Sequence, residues 1–282
     1  MNPRQAAPTA TRRLANTPPL CNKPLLPKKE RSAAPERGRS SGVEHNLAKV
    51  GVGRSNRLAR SSFVGRQRRL DSGAFVVVPA FTGRALQVFQ PGAAARSDAQ
   101  VYKSMVGALP EGIAAGDYAT AAEDKPALAV TDSTSKGWGG NDLSALPRHC
   151  DGLVVGSLAG APTPAAVGSC RLPAAHEFSD DATLFAALQA GKVTAAWTTT
   201  ADPNVTADLV VLTDGKGALV QAENVVPLYR RNELTDRQLL AVNEVAGVLD
   251  TAALVEMRRQ VIAGADPQVV ADGWLGEHPL GR

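Results

Sequence analysis

The stretch SDDATLFAALQAGKVTAAWT, residues 179–198, predicts a helix followed at once by a buried strand. Its first part places apolar residues on one helical face, with Ser179 positioned to cap the start and Gly191 to end the helix. Its last part, VTAAWT (193–198), is a short apolar run typical of a strand that is covered on both faces.

Similar apolar runs recur on both sides of this stretch, at PALAV (126–130), GLVVG (152–156) and DLVVL (208–212). Helical patterns lie between several of them. Apolar strands that alternate with helices predict an α/β fold with a mostly parallel sheet. The last third is helical: Thr235 and Gln238 predict a capping box, and Asp266-Pro267 a further helix start.

A basic leader, residues 1–70, precedes this body. It holds 16 Lys and Arg and 3 Glu, a net charge of +13, whereas residues 71–282 have a net charge of −9. High charge with little apolar material predicts disorder. Clustered arginines would suit a non-specific nucleic-acid-binding arm, since no interleaved aromatic residues offer base stacking. Alternatively, Ser40–Ser61 resembles a translated tRNA gene, so the leader would be an artefact or a recent fusion.

No apolar run approaches the roughly 18 residues that a transmembrane helix needs. The leader contains no apolar core of a signal peptide after Arg12-Arg13. Cys21 lacks the preceding apolar stretch of a lipoprotein signal. From these observations alone, the chain as written is not expected to be an integral membrane protein. Since no signal peptide is visible, its expected location as written is the cytoplasm.

Motifs for catalysis, metals or cofactors are not visible, and we expect no enzyme, no metal and no cofactor. The adjacent residues His149-Cys150-Asp151 cannot form a triad, because triads assemble in space. TDGKG (213–217) lacks the spacing of a phosphate-binding loop. Cys150 and Cys170 are free thiols, or, if the body works outside the cytoplasm, a disulfide.

Several motifs in the body nevertheless resemble, in order and spacing, one known family. That family is the substrate-binding component of ABC importers for osmoprotectants such as glycine betaine, choline, carnitine and proline. The resemblance extends from Ser72 to about Leu275. Its main motifs are VPAFTGRAL (78–86), EDKPALAV (123–130), FAALQAGKVTAAWTTT (185–200), ADLVVLTDGKG (207–217), ENVVPLYRRNELTD (223–236) and ADPQVVADGWL (265–275).

The resemblance implies a two-lobed, periplasmic-binding-protein-like clamshell of type II that closes on a ligand. Lobe one would comprise residues 71–126 and 223–282, and lobe two residues 127–222. Crossover strands would lie near PALAV and ENVVPL. Lobe one is expected to be incomplete, because the leader stands where the family has its first strand and helix.

The resemblance also implies a set of ligand-binding residues. The family encloses a quaternary ammonium in aromatic rings, which attract it by cation–π interaction. Phe81 and Trp197 would supply two rings, whereas Pro126 and Glu223 stand where the family has tyrosines. The ligand-binding residues implied by the match are Phe81, Thr82, Asp124, Trp197, Thr199, Glu223 and Asn224. Core packing of Trp197 and a solvated position of Glu223 are the alternatives.

The function that follows is an extracytoplasmic, monomeric solute-binding protein. It would deliver a quaternary ammonium or another polar solute to ABC permease subunits, without specific nucleic-acid binding. Two other functions stay open: a non-functional remnant of such a protein, and a nucleic-acid-associated protein that acts through its basic leader.

Overall fold

The computed structural model describes residues 65–66, 69–215 and 218–281. The body is mixed α/β, as predicted. Its strands are β1 Val77–Phe81, β2 Ile113–Ala115, β3 Pro126–Thr131, β4 Val155–Leu158, β5 Ala166–Val167, β6 Cys170–Arg171, β7 His176–Phe178, β8 Ala195–Thr199, β9 Leu209–Leu212 and β10 Val225–Arg230. Its helices are α1 Thr82–Phe89, α2 Asp98–Gly107, α3 Asp132–Trp138, α4 Asp181–Gln189, α5 Asp236–Val248, α6 Thr251–Ile262 and α7 Pro267–Glu277, with a 3₁₀ helix at Leu143–His149.

The strands form a small sheet in the order β1-β10-β2 and a large sheet in the order β7-β4-β8-β3-β9. β5 and β6 form a separate hairpin. In the large sheet β4, β7, β8 and β9 share one direction, and β3 runs against its neighbours. In the small sheet β10 runs against both β1 and β2. The predicted mostly parallel arrangement is therefore interrupted in each sheet.

In each sheet, the strand that runs antiparallel to its neighbours is the strand with which the chain enters that sheet from the other one. β1 and β2 belong to the small sheet, the chain enters the large sheet with β3, and it returns to the small sheet with β10. A strand that arrives from the other sheet is not preceded by a crossover helix of its own sheet, so nothing requires it to run parallel to its neighbours.

Apolar side chains cover both faces of the large sheet. Leu128 of β3 and Val155 of β4 contribute to the cluster on one face, and Ala129 and Ala196 to the cluster on the other. This two-sided burial explains why the strands of the large sheet are continuous apolar runs without alternation. A third cluster joins β1 and β10 to α1 and α2.

Helical structure is present before residue 71, the predicted start of the body. Gly65, Arg66 and Arg69–Asp71 are helical, and Leu70 is only 1% exposed in the core of the small sheet. The predicted disorder of residues 1–70 is therefore wrong at its end, because Leu70 fills an apolar site. The rest of the predicted leader, including Cys21 and Ser40–Ser61, lies outside the described residues.

Most of the predicted helix boundaries are correct. Thr235 and Gln238 form the reciprocal capping box of α5, and the Asp266 side chain accepts from two amides of α7. The prediction for α4 is wrong by one residue: Asp180, not Ser179, accepts the hydrogen bond from the Thr183 amide. Both residue types are good N-caps, so the sequence alone did not distinguish the two positions.

No single helix in the described ranges is long and apolar enough to cross a membrane. Helices α5 and α6 would meet that criterion only as a pair, and they are bent by 98° at the break between them.

Candidate functional site

The two chain segments that connect the sheets lie side by side just before β3 and β10. The Asp124 amide donates to the Glu223 carbonyl at 2.9 Å, and Glu123 and Asn224 form an antiparallel bridge. The end of β1 joins them, because the Thr82 amide donates to the Asn224 carbonyl at 2.9 Å. Segments that are 40 to 140 residues apart in sequence therefore meet at one point.

Thr82 and Asn224 are the buried polar residues that hold this junction together. Thr82 Oγ1 accepts from the Asn224 amide at 3.1 Å, and Asn224 Nδ2 donates to the Ala119 carbonyl at 3.1 Å. Both side chains are at most 2% exposed. Asn224 Oδ1 is buried and has no hydrogen-bond partner among the described residues. A buried acceptor without a donor is costly in the free protein and is a candidate ligand contact.

Glu223 is buried against the start of α1. Its Oε2 accepts from the Arg84 amide at 2.9 Å, and Oε1 lies 3.8 Å from Arg84 Nε. Gly83 makes this approach possible, because a Cβ there would lie 2.5 Å from the Ala222 carbonyl oxygen and 3.0 Å from Glu223 Cδ. Burial raises the pKa of Glu223 to about 7, although the charge and amide of Arg84 partly offset the rise.

Asp124 is the second buried carboxylate, 4% exposed. Its Oδ2 accepts from Arg258 Nη2 at 3.0 Å and from Arg84 Nη2 at 3.5 Å. Arg258 is fixed further by a 2.8 Å hydrogen bond from Nη1 to the Ala201 carbonyl. Asp124 Oδ1 has no partner in the described part of the chain. Arg84, Arg258, Asp124 and Glu223 are hereafter called the ion cluster.

Phe81 packs against the ion cluster. The Arg84 guanidinium carbon lies 4.8 Å from the centre of the Phe81 ring, and that of Arg258 lies 5.9 Å from it. Both distances are within the range of cation–π interaction. The ring that the resemblance assigned to a ligand's ammonium group is therefore in contact with the protein's own cations.

Trp197 and Thr199 lie on β8, in the large sheet. Trp197 is 6% exposed and belongs to the core cluster that contains Leu128. It makes no ring contact with Phe81 among the residues described. Thr199 is half-buried opposite Pro126, where β8 pairs with β3. Five of the seven implied residues therefore lie close together: Phe81, Thr82, Asp124, Glu223 and Asn224. Trp197 lies in the core. The ligand-binding role of all seven stays a prediction.

The cations of the ion cluster, Arg84 and Arg258, were not among the predicted site residues. Arg84 stands in the quoted motif VPAFTGRAL (78–86), whereas Arg258 lies in none of the quoted motifs. The signal available was electrostatic: two carboxylates at buried positions require cations, since an unpaired buried charge is strongly unfavourable. Nothing in the sequence indicated which arginines would supply them.

Two further expectations concern covalent and metal chemistry. Cys150 and Cys170 form a disulfide with a Cα–Cα distance of 5.7 Å, one of the two alternatives that the sequence left open. Within residues 65–66, 69–215 and 218–281, no group of three or more His, Cys, Asp or Glu residues could hold a metal ion. Part of TDGKG (213–217) lies outside the described residues.

Comparison with solved structures finds the same fold in other proteins, two of which are described here. Apo YehZ from Escherichia coli is 19% identical, with a TM-score of 0.59 over 77% of this chain and 85% of that chain. A structure described as a glycine betaine/carnitine/choline ABC transporter is 17% identical, with a TM-score of 0.64 over 77% of this chain and 84% of that chain. The predicted periplasmic-binding-protein-like fold class is thereby confirmed.

No curated protein matches the chain in sequence. The family OpuAC, described as the substrate binding domain of ABC-type glycine betaine transport systems, matches residues 65–277. The match begins at the helical residues that precede β1 and ends within a residue of the end of α7. The chain belongs to this family of substrate-binding domains.

Proposed function

We propose that the chain binds a small polar or quaternary ammonium solute and delivers it to an ABC permease. The observation that supports this proposal is the position of the ion cluster. In a chain of this family, buried charges and the Phe81 ring converge at the two segments that connect the sheets. Residues 71–126 with 223–282, and residues 127–222, would be the two lobes, and the solute would bind between them.

The unpaired acceptors of the site favour a polar ligand that carries hydrogen-bond donors. Asp124 Oδ1 and Asn224 Oδ1 are buried acceptors without donors in the described structure. Glu223 adds a carboxylate where the family resemblance implies a tyrosine. A trimethylammonium group would need to displace Arg84 from the Phe81 ring, so we expect weaker glycine betaine binding than in a complete aromatic cage. Two missing rings correspond to a loss of about 5- to 150-fold in affinity.

We infer the partners and the location from the family. The permease subunits of an ABC importer would receive the solute, with the binding protein acting as a monomer outside the cytoplasm. The Cys150–Cys170 disulfide supports an oxidising compartment, because disulfides persist there and are rare in the cytosol.

The proposal is tested by calorimetry of the full chain with glycine betaine, choline, carnitine and proline. Phe81→Leu keeps an apolar side chain but removes the ring, and should weaken binding of a quaternary ammonium about 2- to 30-fold. Phe178→Leu is the matched control, since Phe178 packs in a different cluster on the large sheet. Absence of binding to all four solutes, or equal effects of the two substitutions, would contradict the proposal.

A further inference from the structure

A cavity of about 100 Å³ lies between the small sheet and helices α5, α6 and α7, and Phe81 forms part of its wall. Its walls are almost entirely apolar, with Leu249, Leu254, Met257 and Trp274 among the lining residues. An engineered apolar cavity of about 150 Å³ binds benzene. By that proportion, the space suits an apolar body of roughly four to five carbon atoms.

Two hydrogen-bond donors in this lining are unused. Arg66 Nε and Trp274 Nε1 are both buried, and neither has a hydrogen-bond partner among the described residues. Both residues line the cavity. Because these groups can only donate, they are satisfied only by an acceptor atom. A buried donor without an acceptor destabilises the free protein, so a ligand that brings an acceptor gains affinity by relieving it.

The charge at the cavity is positive. Arg258 lines it as well, but Arg258 is paired with Asp124 at 3.0 Å, whereas Arg66 makes no ion pair within the described ranges. Burial and the nearby charge of Arg84 lower the pKa of Arg66. An anionic acceptor would supply the missing counter-charge.

We propose that this cavity, which adjoins the ion cluster at Arg258, is a second ligand site for a small carboxylate with an apolar body. The carboxylate lies between Arg66 and Trp274, and the apolar body packs against the side chains of α5 and α6. Arg66 accounts for the preference for an anion, and the cavity volume limits the length of the hydrocarbon part.

The test uses hexanoate as the probe, with hexanol and hexylammonium as matched neutral and cationic compounds. In calorimetry on the full chain, hexanoate should bind most tightly and hexylammonium least. In a ¹H–¹⁵N spectrum the chain's three Trp residues give three indole signals, of which Trp274→Phe removes one. Hexanoate should shift that signal and leave the other two in place.

Three substitutions locate the site. Arg66→Gln should weaken hexanoate binding about tenfold or more, and Trp274→Phe about 2- to 10-fold, as expected for the loss of a charged and a neutral hydrogen bond. Arg66→Lys keeps the charge and should restore part of the affinity, which separates binding from folding. Arg259→Gln, on the exposed side of α6, should have no effect.

Any of three results would overturn the proposal. Hexylammonium could bind as well as hexanoate, Arg66→Gln could behave like Arg259→Gln, or hexanoate could fail to saturate at millimolar concentration. Phe81 also lines the cavity, so the two proposals are separated by their ligands. Glycine betaine binding tests the proposed function, and hexanoate binding tests this one.

Discussion

Glu223 should make the stability of this protein fall as the pH rises from 4.5 to 7. Its pKa is about 7 in the folded chain against an ordinary 4.5. Below pH 4.5 the carboxyl is protonated in both states. Between the two values the unfolded chain releases the proton and the folded chain keeps it, so folding becomes less favourable. At about 1.36 kcal/mol for each pH unit between the two pKa values, the loss is roughly 3 kcal/mol.

Glu223→Gln removes this titration and keeps an oxygen that can accept from the Arg84 amide. We therefore expect the free energy of unfolding of the variant to rise relative to that of the wild type by roughly 3 kcal/mol as the pH increases from 4.5 to 8. Urea unfolding of both proteins at four pH values measures the difference, and other titrating groups cancel in it. Glu233→Gln, at a half-exposed carboxylate, is the control. Parallel stability profiles of Glu223→Gln and wild type would refute the reasoning.

Three further predictions concern stability and binding. Arg258→Met should lower the free energy of unfolding in urea by about 3 kcal/mol or more, because Asp124 stays buried and keeps only the longer 3.5 Å contact with Arg84. Arg259→Met removes an exposed ion pair and should lower it by less than about 1 kcal/mol. Replacing Cys150 and Cys170 by Ala should lower the free energy of unfolding by roughly 3 kcal/mol, since the disulfide closes a loop of 20 residues. A thiol assay on the wild type should find both of these cysteines blocked. Trp197→Ala should lower the free energy of unfolding by about 3–5 kcal/mol, because it leaves a cavity in the core. Thermal or urea unfolding measures this loss. Glycine betaine affinity in the same variant tests the predicted ligand role, and an unchanged affinity would contradict it.

The order of strands and helices could be predicted from sequence because each depends on local patterns. The capping box of Thr235 and Gln238 and the start of α7 at Asp266 need only a few neighbouring residues. The family motifs located Phe81 and Asp124, which the structure brings close together. Their proximity was implied by the resemblance, since no pattern within one segment relates residues from different strands.

The parts that could not be predicted depend on tertiary contacts. Arg84 and Arg258 meet Asp124 from different helices, and their long side chains reach it only in the assembled fold. Trp197 lies in a strand whose residues 195 to 197 are all buried, so sequence periodicity did not tell which face its ring would occupy. Leu70 is a single apolar residue after a basic segment, too little to predict where the core begins.

The paired connections between the sheets have a consequence for the evolution of the chain. Because the Asp124 amide bonds to the Glu223 carbonyl, the segment from Lys125 to Ala222 starts and ends at one place. A segment with adjacent ends can be inserted into a host chain, or circularly permuted through an exposed loop, with only a short linker. Recombination could therefore replace this segment as one unit without changing the strand pairing of the small sheet.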